Sequence, residues 1–332
     1  MNNPIIELLD SSLRAVEDNH FDIAAQKLTN FVNEHPELVD ERTQHEYSLI
    51  QKLMEYKVSL QDLESIRVLK WLYTYCQKKY ATDEVCGNTP ISDRPLPYAD
   101  TIWWCWLQGI DNAPSIVKRC YESLEKLGRK IIILTEDNLY DYVEFPEHVK
   151  NARAEGKISN AHFSDLIRVD LLSRLGGCWI DATVLCTGTK TINRILENYP
   201  LFCYRAIMKN ETSSIITYDS WFIYSSKPSS ILTDTRKMLY KYWEQEDRLM
   251  HYFLFHIMFT LATWRHPEEC AKLPFYSTEP CHIMQMEMFH PFSKLRYQEL
   301  CDMSDIHKLT YKYDAKDLHD NMMLDYILKN KI

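Results

Sequence analysis

The sequence predicts an α/β protein preceded by a helical N-terminal region. Two observations lead to this prediction. Segments of strand length, Thr101–Leu107 and Lys130–Leu134, flank an amphipathic helical segment, Pro114–Leu127, which is the order of a parallel β-α-β unit. A third strand candidate, Cys178–Ile180, directly follows a helical segment at Asn160–Leu175. Strands alternating with helices in this way predict a sheet with parallel strands.

A boundary near residue 95 divides the chain. Before it, apolar residues recur at helical spacing and no strand pattern interrupts them. Pro90, Pro95 and Pro97 then mark a turn-rich linker. We therefore predict a small all-helical region at residues 1–95 and the α/β domain at residues 96–332. The helical region is either a docking module for a partner or membrane surface, or a cap over the main domain, and the cap is favoured.

Further elements are expected on both sides of the third strand. A helical stretch at Leu139–Ala154 precedes it, strands at Leu201–Ile207 and Trp221–Ser225 follow it, and helices are expected at Ser230–Trp243, at Leu249–Trp264 and at the end of the tail His307–Ile332, after a loop. The apolar segment Leu249–Trp264 is shorter than the ~20 residues of a membrane span. Histidines also interrupt it, so it predicts a buried helix.

Composition excludes several classes of protein. The formal charge of −9 comes without a segregated basic face, which argues against binding to nucleic acid. The start, MNNPIIELLDSS, has no basic segment ahead of a long apolar core and so lacks the form of a secretory signal. We expect a cytoplasmic protein. No glycine-rich dinucleotide or P-loop motif, G-x-S-x-G elbow or H-E-x-x-H helix occurs in the chain.

The most informative stretch is Ser159–Thr183, which reads SNAHFSDLIRVDLLSRLGGCWIDAT. A capping serine and a glycine pair bound its helix. Asp181 therefore falls at the carboxyl end of a strand, where open α/β sheets bind ligands. Asp165 and Arg168, three residues apart, share one face of the helix. They are open to two interpretations: part of an anion or metal site with Asp181, or an ordinary intrahelical ion pair, which is the more common case.

Four motifs in order resemble one family. They are IWWCWLQG, HFSDLIRVDLLSRLGGCWIDAT, HYFLFH and IHKLTYK, and together they resemble the capsular polysaccharide synthesis proteins, grouped with the sugar transferases of glycosyltransferase family 32. The resemblance covers roughly Thr101–Lys312. It implies a GT-A fold in which a Rossmann-like half binds a nucleotide-sugar donor, expected to be a UDP-sugar.

The resemblance also implies an activity. A hexosyl group would pass from the donor to a growing capsular or other cell-surface polysaccharide, or to its lipid-linked precursor. The configuration of the sugar would be retained. The protein would work in the cytoplasm. Its N-terminal helices would provide peripheral attachment at the inner face of the membrane, or contacts to partners in synthesis.

By match to the family pattern, Asp165, Arg168 and Asp181 would form the catalytic centre. Arg168 would contact the donor diphosphate and Asp165 the donor sugar. Asp181 would be the first acid of a D-x-D motif that holds Mn²⁺ or Mg²⁺. Here Thr183 replaces the second acid, and a hydroxyl is a weaker ligand than a carboxylate. We expect Asp181 and Thr183 to be the metal ligands.

Further donor-binding residues are expected at the same edge: Trp106, Gln108, Gly109, Asn138, His307 and Lys308. Trp106 would lie against the nucleotide base. His307 and Lys308 would close over the diphosphate, as a mobile C-terminal loop does in related folds, although a surface charge pair is an equally good interpretation.

The remaining candidates concern the acceptor and the histidines. Asp219 and Trp221 are expected to border the acceptor, because tryptophan faces suit sugar rings. His162 is either a base beside Asp165 or a packing residue, and His256 is expected in the core. The alternative function is a non-catalytic sugar-nucleotide-binding or scaffold protein of a polysaccharide synthesis complex. On this interpretation, Thr183 in place of the second acid indicates that catalytic activity has been lost.

Overall fold

A five-stranded mixed sheet forms the centre of the computed structural model, which describes residues 72–81, 94–206, 217–313 and 318–329 and the isolated positions 26–27, 30, 33–34 and 36. Its order is β2-β1-β3-β6-β5. The strands are β1 (Thr101–Cys105), β2 (Lys130–Leu134), β3 (Gly177–Ile180), β5 (Leu201–Arg205) and β6 (Tyr218–Ser225). β1 pairs in parallel with β2 and β3, whereas β6 is antiparallel to β3 and β5. The predicted α/β class is confirmed.

A second, two-stranded sheet pairs β4 (Val184–Cys186) with β7 (Ile306–Lys308) in antiparallel fashion. The sequence predicts a loop from His307 onward, and the structure differs. A strand of three residues is too short to show a period of two, so only its pairing with β4 reveals it. This small sheet joins the C-terminal part of the chain to the segment that follows β3.

Helices cover the sheet on both faces. They are α1 (Ser115–Glu125), α2 (Glu147–Ala154), α3 (Asn160–Arg174), α4 (Lys190–Asn198), α5 (Ser230–Gln245), α6 (Leu254–Arg265), α7 (Pro267–Cys270), α8 (Glu279–Met286), α9 (Lys294–Met303) and α10 (Met323–Lys329). The predicted helices correspond to α1, α2, α3, α5, α6 and α10. The bounds of α1, α3 and α5 agree within about two residues, whereas α2 begins at Glu147 instead of Leu139 and α6 at Leu254 instead of Leu249. The sequence pattern did not predict α4, α7, α8 and α9.

Two apolar cores lie on opposite faces of the sheet, because successive strand side chains point to opposite sides. Trp103 and Trp179 pack toward α3, α5 and α6, whereas Trp104 and Ile180 pack toward α1, α4 and α8. All four side chains are almost completely buried. Burial on both faces explains why the strands are continuous apolar runs in the sequence.

The helical segment at residues 72–80 packs against the α/β domain. Its Leu72, Cys76 and Tyr80 are buried in the same core as α5 and α6. Most of the region at residues 1–95 lies outside the described residues, so the boundary at residue 95 and the docking role stay predictions.

The apolar segment predicted as a buried helix is α6, which is buried on nearly all sides. Within the described part of the chain, no helix combines the length and the hydropathy that a membrane crossing requires.

Asp170 is a buried charge that fixes α3 to its neighbours. Arg174 Nη2 and the hydroxyl of Tyr240 donate to its two oxygens at 2.7 and 2.8 Å, and the backbone N–H of Glu144 donates at 2.9 Å. Arg236 Nη1 lies 3.4 Å from Oδ1. Since Arg236 and Tyr240 belong to α5, this carboxylate joins α5 to the helix that carries the predicted site.

We expect Asp170→Ala to lower the free energy of unfolding by about 3 kcal/mol, because it leaves two arginines without their buried counter-charge. Urea unfolding followed by circular dichroism measures the change. The matched control is Asp302→Ala, which removes an exposed carboxylate on α9 and should change stability by less than about 0.5 kcal/mol. Equal stability of the two variants would contradict the structural role of Asp170.

Candidate active site

The helix α3 and the turn after it position the predicted catalytic residues. The Ser159 side chain caps the helix by accepting a hydrogen bond from the backbone N–H of His162. At the other end, Gly177 has a φ of 104°, and a Cβ there would lie 2.7 Å from the carbonyl oxygen of Thr101. Only glycine allows this approach. The chain therefore turns directly from α3 into β3 and delivers Asp181 to the carboxyl edge of the sheet.

A buried arginine forms the centre of the site. Arg168 Nη1 donates to Asp165 Oδ1, and Arg168 Nη2 donates to Asp181 Oδ1 at 2.8 Å. The guanidinium carbon lies 4.9 Å from the centre of the Trp179 ring, which is within cation–π range. Only 3% of the arginine side chain is exposed. Arg168 thus holds two carboxylates from different elements in one geometry.

Lys308 reaches the same carboxylate from the small sheet. Its Nζ lies 3.1 Å from Asp181 Oδ2 and donates to Thr183 Oγ1 at 2.6 Å. The register of β4 and β7 places Val184 opposite Lys308, and the backbone N–H of Leu309 donates to the Thr183 carbonyl at 2.8 Å. The backbone therefore sets the position of Lys308 beside Thr183.

These two cations control the ionisation of Asp181. Burial by itself would raise the pKa of Asp181, but the charges of Lys308 and Arg168 and a hydrogen bond from Trp179 outweigh burial and lower it below its ordinary value. Trp179 Nε1 donates to Oδ1 at 2.8 Å. Asp181 is therefore ionised at neutral pH.

The ring of His162 contacts the carboxylate of Asp165. Trp243 Nε1 donates to His162 Nε2 at 3.0 Å, so the ring carries its proton on Nδ1, which lies 3.3 Å from Asp165 Oδ2. The ring is 1% exposed. This hydrogen-bond pattern agrees with the interpretation of His162 as a packing residue rather than a base, since both ring nitrogens contact neighbouring side chains.

A cleft of 710 Å³ opens beside this centre, a size typical of small-molecule sites. Its lining carries three formal positive charges, on Arg168, Lys308 and Lys312, and two negative charges, on Asp165 and Asp181. The net formal charge of the lining is thus +1, in a chain whose net charge is −9. An excess of positive charge in a concave site favours an anionic ligand.

The structure brings together most of the predicted site. The lining includes Trp106, Gln108, Asp165, Arg168, Asp181, Thr183 and Lys308. Gly109 and Asn138 are not among the lining residues. Asn138 instead orders its own loop, because its side chain accepts from the Thr135 N–H and donates to the Ile133 carbonyl, each at 2.9 Å.

His307 points away from the cleft, because neighbouring strand residues face opposite sides. Its ring is buried, and Nε2 lies 3.1 Å from the Thr187 hydroxyl. Of these two residues, only the lysine lines the cleft.

Asp219 and Trp221 lie behind the cleft wall. The Trp221 ring is 4% exposed and stacks on Tyr204, with ring centres 4.7 Å apart. Its edge-to-face contact with His282, at 5.9 Å, is with a residue that does line the cleft. Asp219 Oδ2 is buried and accepts no hydrogen bond from the described residues.

Several lining residues were missed by the sequence analysis: Tyr252, His256, His282, Gln285, Tyr311 and Lys312. His256 was expected in the core, yet it faces the cleft, and burial lowers its pKa below the ordinary value. The HYFLFH and IHKLTYK motifs contain four of these residues. His282 and Gln285, on α8, belong to no motif and come together with the others only through tertiary packing.

The residues present do not fit a divalent cation. Even where waters and phosphate oxygens complete its coordination shell, such an ion needs one or two unoccupied protein oxygens, and the expected ligands here are one carboxylate and one hydroxyl. Asp181 Oδ1 already accepts from Arg168 and Trp179, and Lys308 occupies both Asp181 Oδ2 and the Thr183 hydroxyl. In the ranges that the structure describes, no group of three or more histidine, cysteine, aspartate or glutamate side chains is arranged to hold a metal.

Sheet and cleft together define a class: an α/β protein with a charged cleft at the carboxyl edge of its parallel strands, which is where such sheets commonly bind ligands. The comparison with protein families goes further. A model of the capsular polysaccharide synthesis protein family matches residues 55–327, so the chain belongs to that family. The family resemblance seen in the sequence is confirmed, whereas the assignment to glycosyltransferase family 32 stays a prediction.

Individual proteins are similar over smaller parts. The O-glycosyltransferase braB of Annulohypoxylon truncatum is 30% identical over 112 residues, which cover 30% of this chain and 27% of that protein. Among solved structures, the PaToxG glycosyltransferase is similar with a TM-score of 0.38 and 13% identity, over 62% of this chain and 78% of that one.

The burial of His307 makes the stability of the protein depend on pH. Burial lowers the pKa of His307 to about 4, against about 6.5 in an unfolded chain. As pH falls from about 6.5 toward about 4, the unfolded state binds a proton that the folded state excludes. The free energy of unfolding then falls by about 1.4 kcal/mol per pH unit from this group.

We expect His307→Gln to remove that dependence, because glutamine keeps a hydrogen bond to Thr187 but does not titrate. Between about pH 7.5 and about pH 5, the variant should lose about 2 kcal/mol less stability than the wild type in urea unfolding. Identical losses in both proteins would show that the ring titrates freely and is not buried.

Proposed function

We propose that the protein is a glycosyltransferase that moves a sugar from a nucleotide-sugar donor to a glycan acceptor in polysaccharide synthesis. The observation that carries the proposal is the charged cluster at the sheet edge, in which Arg168 and Lys308 converge on Asp181. Membership of the capsular polysaccharide synthesis family supports it. So does the partial similarity to an O-glycosyltransferase.

The donor would bind with its diphosphate against the cations of the cleft. A departing nucleoside diphosphate gains negative charge, and preorganised positive groups in a partly buried site stabilise that charge strongly. Lys308 and Lys312 both line the cleft near its aromatic wall. This wall consists of Trp106 and Tyr311, whose rings meet edge to face at 5.4 Å, and it is suited to a nucleobase. We propose uracil, and hence a UDP-sugar.

We propose that the transfer retains the configuration of the sugar, as the resemblance to the family implies. Both carboxylates that line the cleft, Asp165 and Asp181, are held by cations, which makes each a poor covalent nucleophile. A front-face transfer needs no such nucleophile. The acceptor oxygen bonds to the anomeric carbon as the bond to the phosphate oxygen breaks, and the acceptor proton passes to that phosphate oxygen. Asp165 would face the hydroxyls of a hexosyl donor.

The acceptor would bind where β6, α6 and α8 line the cleft. Tyr252, just before α6, is 64% exposed and offers an aromatic face to a sugar ring. His282 and Gln285 supply polar groups on the opposite helix. Trp221 and Asp219 would contribute from behind, through the contact of Trp221 with His282. The acceptor class is a growing surface polysaccharide or its lipid-linked precursor.

The place of action is also part of the proposal. A lipid-linked acceptor would bring the protein to the inner face of the membrane from the cytoplasm. The N-terminal region at residues 1–95 is the proposed attachment, to the membrane or to other synthesis proteins.

We expect Asp181→Ala to lower the turnover number by about 100-fold or more, because Arg168 and Lys308 lose the carboxylate that positions both of them. Release of nucleoside diphosphate from a panel of sugar nucleotides, with glycan acceptors, measures turnover. Asp302→Ala is the matched control and should be as active as the wild type. Melting temperatures of both variants separate a lost function from a lost fold.

Two results would contradict the proposal in different ways. Full activity of Asp181→Ala would remove this residue from the site. Donor binding by the wild type without turnover on any acceptor would favour the alternative, a non-catalytic binding or scaffold protein, for which the threonine at position 183 is the supporting observation.

A further inference from the structure

We propose that the ammonium group of Lys308 takes the place of the divalent cation, so that this protein binds its donor diphosphate without metal. The inference rests on the proposed function and concerns the same cleft. It assigns Thr183 a positive role, as a partner of the lysine, instead of a lost metal ligand.

The geometry places the ammonium where the ion would sit. A divalent cation at this motif would be held by oxygens of Asp181 and of the side chain two residues later. Lys308 Nζ lies between Asp181 Oδ2 and Thr183 Oγ1, 3.1 Å from the first and 2.6 Å from the second. An ammonium and a metal ion cannot share that position.

The chemistry of position 183 matches a lysine better than a metal. A second carboxylate would add a negative charge and favour a divalent ion. A threonine hydroxyl is neutral, accepts a hydrogen bond from an ammonium and leaves the single charge of Asp181 to balance a single positive charge. Thr183 is 6% exposed, so its hydroxyl needs a partner, and Lys308 supplies it.

The lysine is held by backbone structure at its base. Lys308 is the last residue of β7 and stands opposite Val184 in the ladder. The next residue, Leu309, donates its N–H to the Thr183 carbonyl. Positions 183 and 308 are 125 residues apart in the sequence, but this backbone pairing holds them side by side. The ammonium group is therefore in the site whenever the protein is folded.

One donor of the ammonium remains for a ligand. A lysine ammonium has three N–H groups, and Asp181 and Thr183 engage two of them. The side chain is 20% exposed and lines the cleft, so the third can reach a phosphate oxygen. Lys308 and the neighbouring Lys312 would then give the diphosphate the positive charge that a metal ion gives elsewhere.

Calorimetric titration with UDP, GDP and CDP tests the proposal without any need for the sugar or the acceptor. For the nucleotide that binds most tightly, we expect dissociation constants that agree within about twofold with EDTA and with Mn²⁺. Binding that EDTA abolishes, or that Mn²⁺ tightens by about tenfold or more, would overturn the role of Lys308 and leave the proposed function standing. Failure of every nucleotide to bind under both conditions would overturn the proposed function and this inference together.

Variants of the lysine make the test sharper. Lys308→Met should weaken nucleotide binding by about 30-fold or more, and Lys308→Arg should restore part of it. Lys294→Met removes an exposed lysine on α9 and should leave binding unchanged. Wild-type affinity in a folded Lys308→Met variant would overturn the proposal.

The double variant Lys308→Met, Thr183→Asp recreates two carboxylates and vacates the position between them. We expect the double variant to bind the nucleotide only when Mn²⁺ is present. The affinity of the wild type for the nucleotide should not change when the ion is added. This gain of metal dependence is a readout that a merely structural lysine would not produce. A double variant that binds equally well with EDTA and with Mn²⁺ would show that position 308 does not stand in for an ion.

Discussion

The whole site depends on one buried cation, Arg168, held between Asp165 of its own helix and Asp181 at the end of β3. An arginine that is 3% exposed would be strongly unfavourable without opposite charges, because burial removes its hydration. Each carboxylate therefore compensates for the arginine, and the arginine orients each carboxylate. This mutual requirement locks α3 against the sheet and makes the cleft preorganised for charge, which is the property that a phosphate-binding enzyme needs.

The same helix carries a second buried carboxylate with a different task. Asp170 turns away from the cleft and binds Arg174 and Tyr240, so it joins α3 to α5. Two aspartate-arginine pairs thus occur within ten residues of one motif, Asp165 with Arg168 and Asp170 with Arg174. Both look like intrahelical ion pairs in the sequence. One faces the cleft and the other is part of the packing, and this difference depends on what lies across from each helical face.

The sequence and the structure suggest different roles for Thr183. Beside the D-x-D pattern it is a missing acid, and the sequence predicts a weakened metal site there. Beside Lys308 it is a matched hydrogen-bond acceptor, because β4 and β7 bring the two residues together. The expectation of Mn²⁺ or Mg²⁺ stays untested, and the donor set of the described residues favours the lysine. The ammonium of Lys308 balances the carboxylate of Asp181, and the neutral hydroxyl of Thr183 adds no charge, so this group needs no added ion.

The sequence by itself determined the α/β class, the positions of β1, β2, β3 and α3, and the presence of Asp165, Arg168 and Asp181 at one edge. Each of these follows from local signals: apolar runs, a helix cap, a glycine turn and a four-motif family pattern. The tertiary structure alone decided that Lys308 faces the cleft while His307 does not, and that His256, His282 and Gln285 complete the lining. The physical reason is that a three-residue strand and a helix face acquire direction only from the partner they pack against.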